Sequence, residues 1–457
     1  MSAGLEVHGL GAQAAAVAGE AISPERLFAA AREACDALDS DTNAVSAVFD
    51  GDLERELAAA GEGPLRGVTV GIKDMFDCSW RRPHDGTPVP VSAAAAAPAG
   101  AVRRLRQAGA LPLVATNLHE LGVGTTGHIS AKGPIRNPLA LDRCAGGSSG
   151  GSAAVVAAGA LPAAVGTDAA GSIRIPAAYC GIVGLKPTWG AVPVDGYTGA
   201  YSSMGVIGPM ARDAADCRLL GEALLGRPLS TPEPAPLRIG VPRRSHWSDV
   251  DGAVLAACEE ALDALRADGA EIREIEPADT EHLVLAAIVA TGTERLPQLD
   301  ADWVETVLPR LHPSTRGLIK SRFELSANLV QRVARYRALV RRGLARAFET
   351  VDAIAMPTVP TTAPPVERPR VQLPSGPASA DASALHYAAL ANLTGVPAIS
   401  VPCGRDAEGL PIGICFHARW GEEAALLALG ERLERSTERS FTLSGPAAAP
   451  NHPEVSR

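Results

Sequence analysis

A chain of 457 residues is long enough to bury a large core. Apolar residues at 46% and charged residues at 20% are the composition of a soluble globular protein. The net charge of −9 speaks against nonspecific nucleic-acid binding, and the basic pairs Arg103-Arg104 and Arg341-Arg342 read as solvated helix faces.

In chain order, Ala14 to Gly19 is apolar but lacks a basic flank and meets Glu20, so no signal peptide is expected. No uncharged apolar run of about 18 residues occurs, so neither is a membrane span, and a cytoplasmic location is expected. Pro24 to Leu38 has helical spacing with Ser23 as N-cap, and Leu53 to Ala60 reads as a short helix. Val68 to Ile72 is a β-rich run that carries Lys73 out at its end. A lysine beside such a run can be desolvated, which lowers its pKa. Taken alone, it would read as a surface lysine in a loop. Arg81 to Pro98 is irregular and rich in Pro and Ala. Val102 to Gly109 reads as a helix and Leu111 to Thr116 as a strand.

The next stretch organises the chain. Gly146-Gly147-Ser148-Ser149-Gly150-Gly151 is too glycine-rich for a regular strand or helix interior. Ala153 to Ala158 then reads as a helix, stopped by Gly159 and Pro162, and Ala163 to Thr167 as a buried strand. Asp168-Ala169-Ala170-Gly171-Ser172 makes a tight turn, and a helical piece with Pro176 near its start follows. Ser148 and Ser172 therefore each sit where a glycine-rich turn enters a helix. Such places offer free N–H groups and partial positive charge, both of which stabilise an oxyanion.

Beyond it, residues 231–236 fall in a Pro-rich linker from Pro228 to Pro236. Leu237 to Val241 and Glu271 to Ile275 read as strands around an amphipathic helix from Val254 to Leu265. Glu281 to Arg346 is mostly helical. Pro364 to Pro377 reads as a Pro-rich surface loop, Glu422 to Leu433 as a closing helix, and the end from Ser444 as frayed. The eight cysteines form no CxxC and no zinc spacing. They read as buried free thiols of a reducing compartment, Cys144 among them as a packing residue, and no metal or cofactor is expected.

GGSSGGSAA, GTDAAGSIRIPA and CGIVGLKPT, preceded by Gly71-Ile72-Lys73-Asp74, resemble the amidase signature family. Seventy-five residues separate Lys73 from Ser148, and 24 separate Ser148 from Ser172, as that resemblance requires. Asn117 to Leu121, Asn137-Pro138, Gly205 to Asp213, Val351 to Val366, Asn392 to Pro402 and Gly409 to Phe416 are also similar to family segments. The likeness runs from about Pro24 to about Leu433 and is least in the helical middle, where substrate selectivity is expected.

The resemblance implies one large α/β/α domain with a mixed β-sheet core covered by helices. Within residues 1–457 it divides into an N-terminal helical region (1–60), a signature core (61–225), a variable middle (237–350), a C-terminal part of the core (351–445) and a tail (446–457). It implies hydrolysis of a small-molecule amide through a Ser172 acyl-enzyme. Ser148, preceded by a cis peptide bond, would relay protons between Ser172 and a neutral Lys73. The backbone N–H groups of Ala169, Ala170, Gly171 and Ser172 would hold the oxyanion, and Gly122 and Val123 would border the substrate. Ser149 would tie the Ser148 loop to the site or fill a helix N-terminus. Asp168 and Arg174 read as structural, as do His119 and His128, since this mechanism needs no histidine.

Two departures stand out. The segment 81–98 lacks the family's Thr-rich, Gly-containing text, and Ala169-Ala170 replaces Thr-Gly before Gly171. Were φ positive at Ala170, that turn would be strained. Gly146 to Gly150 also fits the G-x-S-x-G elbow of α/β-hydrolases, but the residues before it make a poor strand. A phosphate loop would need a G-K-[ST] ending, which is missing. Other readings stay open: a glutamine-hydrolysing subunit of a tRNA-dependent amidotransferase, an acyltransferase using the same acyl-enzyme, and a non-catalytic binding relative. The sequence leaves the oligomeric state open, a homo-oligomer included.

Overall fold

The computed structural model describes residues 9–92, 97–200, 202–230, 237–243, 249–276, 280–295 and 301–437. The Pro-rich linker at 231–236 and the tail from Ser444 lie outside the described residues.

Helices α1 (Leu10–Ala18) and α2 (Pro24–Thr42) lead into strand β1 (Val45–Val48) and the short α3 (Leu53–Ala59). Ser23 accepts from the Arg26 N–H and Pro24 opens α2, so the sequence signal for this helix start holds. Strand β2 (Thr69–Lys73), helix α4 (Gly100–Gln107) and strand β3 (Leu111–Thr116) come next. The ribbon β4 (Arg136–Asn137) and β5 (Ala140–Cys144) follows. The signature stretch folds as α5 (Gly150–Ala157), β6 (Ala163–Asp168), α6 (Arg174–Cys180) and β7 (Val183–Lys186), with β8 (Val206–Ala211) returning beside it. Gly150 and Gly151 lie inside α5, against the expectation that this glycine run is wholly irregular. A Cβ on Gly151 would come within 2.4 Å of the Asn117 carbonyl oxygen, so close packing requires the glycine there.

Helix α7 (Ala214–Leu225), strand β9 (Arg238–Pro242), helix α8 (Gly252–Ala267) and strand β10 (Glu271–Ile275) form the next segment. The helical middle comprises α9 (Leu283–Arg295), α10 (Ala301–Thr306), α11 (Pro313–Arg322) and α12 (Ala327–Ala347). Strand β11 (Ala353–Pro357) re-enters the sheet. A hairpin of β12 (Arg370–Leu373) and β13 (Gly376–Ser379) follows, where a Pro-rich loop was expected. The prolines fit because Pro377 lies in a two-stranded ribbon, where both strands are edges. Helix α13 (Ala380–Thr394), strands β14 (Ala398–Arg405) and β15 (Pro411–Ala418), and helix α14 (Glu423–Ser436) complete the described chain.

One 11-stranded mixed sheet runs β1-β3-β2-β6-β8-β7-β14-β15-β11-β9-β10 among the described residues. β2 lies between β3 and β6, parallel to both, while β6 pairs antiparallel with β8. Alternation along β6 sends Ala163 and Val165 into the apolar layer shared with α4, α7, α8 and α14. Ala164 points into the opposite layer, with α2, α5 and α6. Helices therefore cover both faces, as the α/β/α expectation requires. Parallel neighbours put the ends of β2 and β6 side by side, with Lys73 and Thr167-Asp168 at those ends.

Candidate active site

Lys73 closes β2, a strand buried along its whole length, and its side chain has no exposure to solvent. Its Nζ donates to Ser148 Oγ at 2.7 Å and to Thr167 Oγ1 at 2.8 Å. Burial pushes the ammonium pKa down to about 7, against the opposing pull of the Asp85 and Asp168 carboxylates. The desolvated lysine read from the sequence is thus what the fold produces.

Ser148 lies between β5 and α5, and the Gly147–Ser148 peptide bond is cis. Gly147 sits under the 124–127 loop, where a Cβ would meet the Gly124 carbonyl oxygen at 2.7 Å and the Gly127 nitrogen at 2.9 Å. The Ser148 carbonyl accepts from the His119 N–H at 3.1 Å. Ser149 does not cap α5 through its side chain. Instead its hydroxyl donates to the Thr167 carbonyl and accepts from the Thr167 N–H, at 3.1 and 3.2 Å. The Ser149 N–H donates to the Ser172 carbonyl at 3.2 Å, so the two serine turns are joined through backbone. Among the described residues, no hydrogen bond links the Ser148 and Ser172 hydroxyls directly.

Ser172 is the most open of the three residues, 8% exposed against 2% for Ser148 and 0% for Lys73. The turn before it is pinned by Asp168. One Asp168 oxygen accepts the Gly171 N–H at 2.6 Å; the other accepts the Ile173 N–H at 3.2 Å. Arg174 and Asn392 also donate to that carboxylate, and Asn392 Oδ1 accepts from Arg174 Nη2 at 2.7 Å. All three side chains are fully buried. Burial alone would raise the Asp168 pKa, but the charge and hydrogen bonds of Arg174, with Lys186 and the Gly171 N–H, together outweigh it and hold the carboxyl at about 2. The structural reading of Asp168 and Arg174 stands.

One expectation needs correction. The Gly171 N–H is committed to Asp168, so it is not a free oxyanion donor. The N–H groups of Ala169, Ala170 and Ser172 find no acceptor among the described residues. The left-handed conformation falls on Gly171, at φ +115°, and not on Ala170, so the Ala-Ala departure leaves the turn unstrained.

Gly122 comes to Ser148, since a Cβ on it would lie 3.5 Å from Ser148 Oγ. Val123 beside it is 37% exposed. His119 is buried, its Nδ1 accepts from the Gly127 N–H, and burial drives its pKa to about 4. His128 bonds Thr126 Oγ1, so both histidines hold the loop. Cys144 is buried and its thiol pushed up to about 12 by burial, which agrees with packing. The other seven cysteines are buried as well, and none is in a disulfide.

Sequence reasoning missed Thr167 and Asn392. Thr167 was placed only as a strand end, and Asn392 lies 224 residues from Asp168. Among the described residues, no cluster of His, Cys, Asp or Glu suits a metal, and no helix is long and apolar enough to cross a membrane.

Comparison with known proteins agrees with this fold. The family described as Amidase matches residues 26–427. A Roseiflexus sp. (strain RS-1) protein, named as a subunit of glutamyl-tRNA(Gln) amidotransferase, is 36% identical over 424 residues, covering 83% of this chain and 85% of that protein. A crystal structure of an amidase superposes with a TM-score of 0.86 at 31% identity, covering 93% of this chain and 99% of that one. The Thermotoga maritima protein of the same amidotransferase name superposes with a TM-score of 0.75 at 27% identity, covering 90% of this chain and 91% of that one. A buried lysine bonded to a serine on a glycine turn, beneath a second serine turn and inside a family match of this extent, places the chain in the amidase signature family of amide-cleaving hydrolases.

Proposed function

We propose that the chain hydrolyses a carboxamide of a small molecule, with Ser172 as nucleophile and Lys73 and Ser148 as its proton relay. The observation that carries this reading is the 2.7 Å bond from a fully buried, easily deprotonated Lys73 to Ser148. Neutral Lys73 takes a proton from Ser148, Ser148 takes one from Ser172, and Ser172 Oγ attacks the carbonyl carbon. The N–H groups of Ala169, Ala170 and Ser172 receive the oxyanion. As the C–N bond breaks, the relay runs backward and protonates the leaving amine. Water then releases the acid from Ser172. The relay requires the Ser148 and Ser172 hydroxyls to come within hydrogen-bond reach, and catalytic hydrogen bonds often tighten only in the substrate complex.

The names of the sequence relatives favour a second reading, a glutamine-hydrolysing subunit that passes ammonia to a partner. The closer superposition on an amidase, 0.86 against 0.75, supports the first. Acyl transfer to an amine instead of water would use the same acyl-enzyme. A non-catalytic role sits badly with the presence of Lys73, Ser148 and Ser172 together.

A panel of aliphatic, aryl and amino-acid amides, with glutamine included, separates these readings. Turnover of small amides by the isolated chain, absent in Ser172→Ala, is the expected result. A fluorophosphonate should label Ser172, and mapping of the label to another serine would overturn the assignment. Glutaminase activity alone would move the reading to the second.

A further inference from the structure

The two segments least like the family, residues 81–98 and the helical middle, meet at one point beside the reacting serines. That point is Leu121. It takes φ +55°, a conformation that residues with a Cβ adopt rarely, and Asp85 opposite takes φ +52°. The Leu121 N–H donates to the Asp85 carbonyl at 2.7 Å. Arg295, the last residue of α9, reaches into the same place. Its Nη1 donates to the Leu121 carbonyl at 2.7 Å and its Nη2 lies 3.3 Å from Asp85 Oδ2. Thr198 donates to the same carboxylate at 3.0 Å. Asp85 is fully buried and Arg295 is 7% exposed. Leu121 belongs to one apolar cluster with Trp303, Val307 and Leu308 of the helical middle, against which Val89 of the 81–98 segment packs. The next residue, Gly122, is the one whose Cβ would lie 3.5 Å from Ser148 Oγ.

We propose that Arg295 is a positioning residue for substrate binding: bridging Asp85 and the Leu121 carbonyl, it fixes the backbone at Leu121–Val123 that forms one wall of the substrate site. The inference rests on the amide-hydrolysing reading above. It gives the helical middle a defined route to selectivity. One guanidinium ties the Leu121 carbonyl to the Asp85 carboxylate, so its loss lets Gly122 and Val123 shift beside Ser148. Planar double donation of this kind suits arginine and is only partly reproduced by lysine.

The test measures kcat and KM for the best amide of the panel with wild type, Arg295→Met and Arg295→Lys, with Tm and the rate of fluorophosphonate labelling of Ser172 in parallel. Arg295→Met should raise KM about tenfold or more with kcat within about threefold, the mark of lost ground-state positioning. Arg295→Lys, which keeps a charge opposite Asp85, should recover part of the KM. Damage to the fold alone would lower the active fraction, and with it apparent kcat, at constant KM. That pattern, or unchanged KM in a folded Arg295→Met, overturns the proposal. Should Arg295→Met not fold, Arg295→Lys and Arg295→Gln carry the same comparison, and unchanged KM in both overturns it. Activity persisting in Ser172→Ala would instead overturn the reaction assignment, which keeps the two failures apart.

Discussion

Thr167→Val should move the acid limb of the pH–rate profile to lower pH. Thr167 Oγ1 accepts from Lys73 Nζ at 2.8 Å, and both side chains are buried. Valine keeps the shape and removes the acceptor. A hydrogen bond to a charged group is worth about 1.5–3 kcal/mol, and one between neutral groups about 1 kcal/mol. The acceptor therefore favours the ammonium over the amine by about 1 kcal/mol, which is about 0.7 of a pKa unit. Lys73 already titrates at about 7, well below 10.5. A base works deprotonated, so kcat/KM in the wild type should fall as pH drops through about 7. In Thr167→Val that fall should begin about 0.5–1 unit lower. The assay is kcat/KM against pH from about 5 to 9 on the best amide, with Tm as control. A limb that stays in place, or moves up, would refute the argument that this hydroxyl stabilises the protonated lysine.

Lys73→Met should abolish turnover and raise Tm at pH 7. The folded pKa lies below the unfolded value, so the burden of the buried ammonium is fully present below about 7 and fades as pH rises toward 10.5. A lower Tm in this variant would show that the bonds to Ser148 and Thr167 outweigh it. Gly171→Ala places a Cβ 2.4 Å from Ala388 Cβ at φ +115°, and should lose most activity and about 1–3 kcal/mol of stability by chemical denaturation. Ala170→Gly should keep activity, because φ at Ala170 is not positive. Equal behaviour of the two variants would contradict the assigned turn.

Much of the site was legible because its text is local. Gly146 to Gly151 and Asp168 to Ser172 announce turns by composition, and Lys73 ends a β-rich run. What composition could not give was contact between distant segments. Asn392 completes the Asp168–Arg174 cluster from α13, a helix that the sequence analysis did not place. The Gly171 N–H read as free because a sequence does not say that the carboxylate three residues earlier folds back onto it. The β12–β13 ribbon was hidden by its prolines, which argue against a central strand but not against a two-stranded edge. Arg295 lay in a stretch with no recognisable chemistry, and only its reach to Leu121 gives it a role.

The ends of the large sheet bear on how copies of this chain can associate. The outermost strand on one side, β1, has four residues. On the other, β10 carries Glu271, Arg273 and Glu274, which pair with one another or with Arg243. A guest strand docking there would have to accommodate ionic side chains already engaged, and one docking on β1 would gain few backbone bonds. Growth of the large sheet by strand addition is therefore disfavoured at either margin.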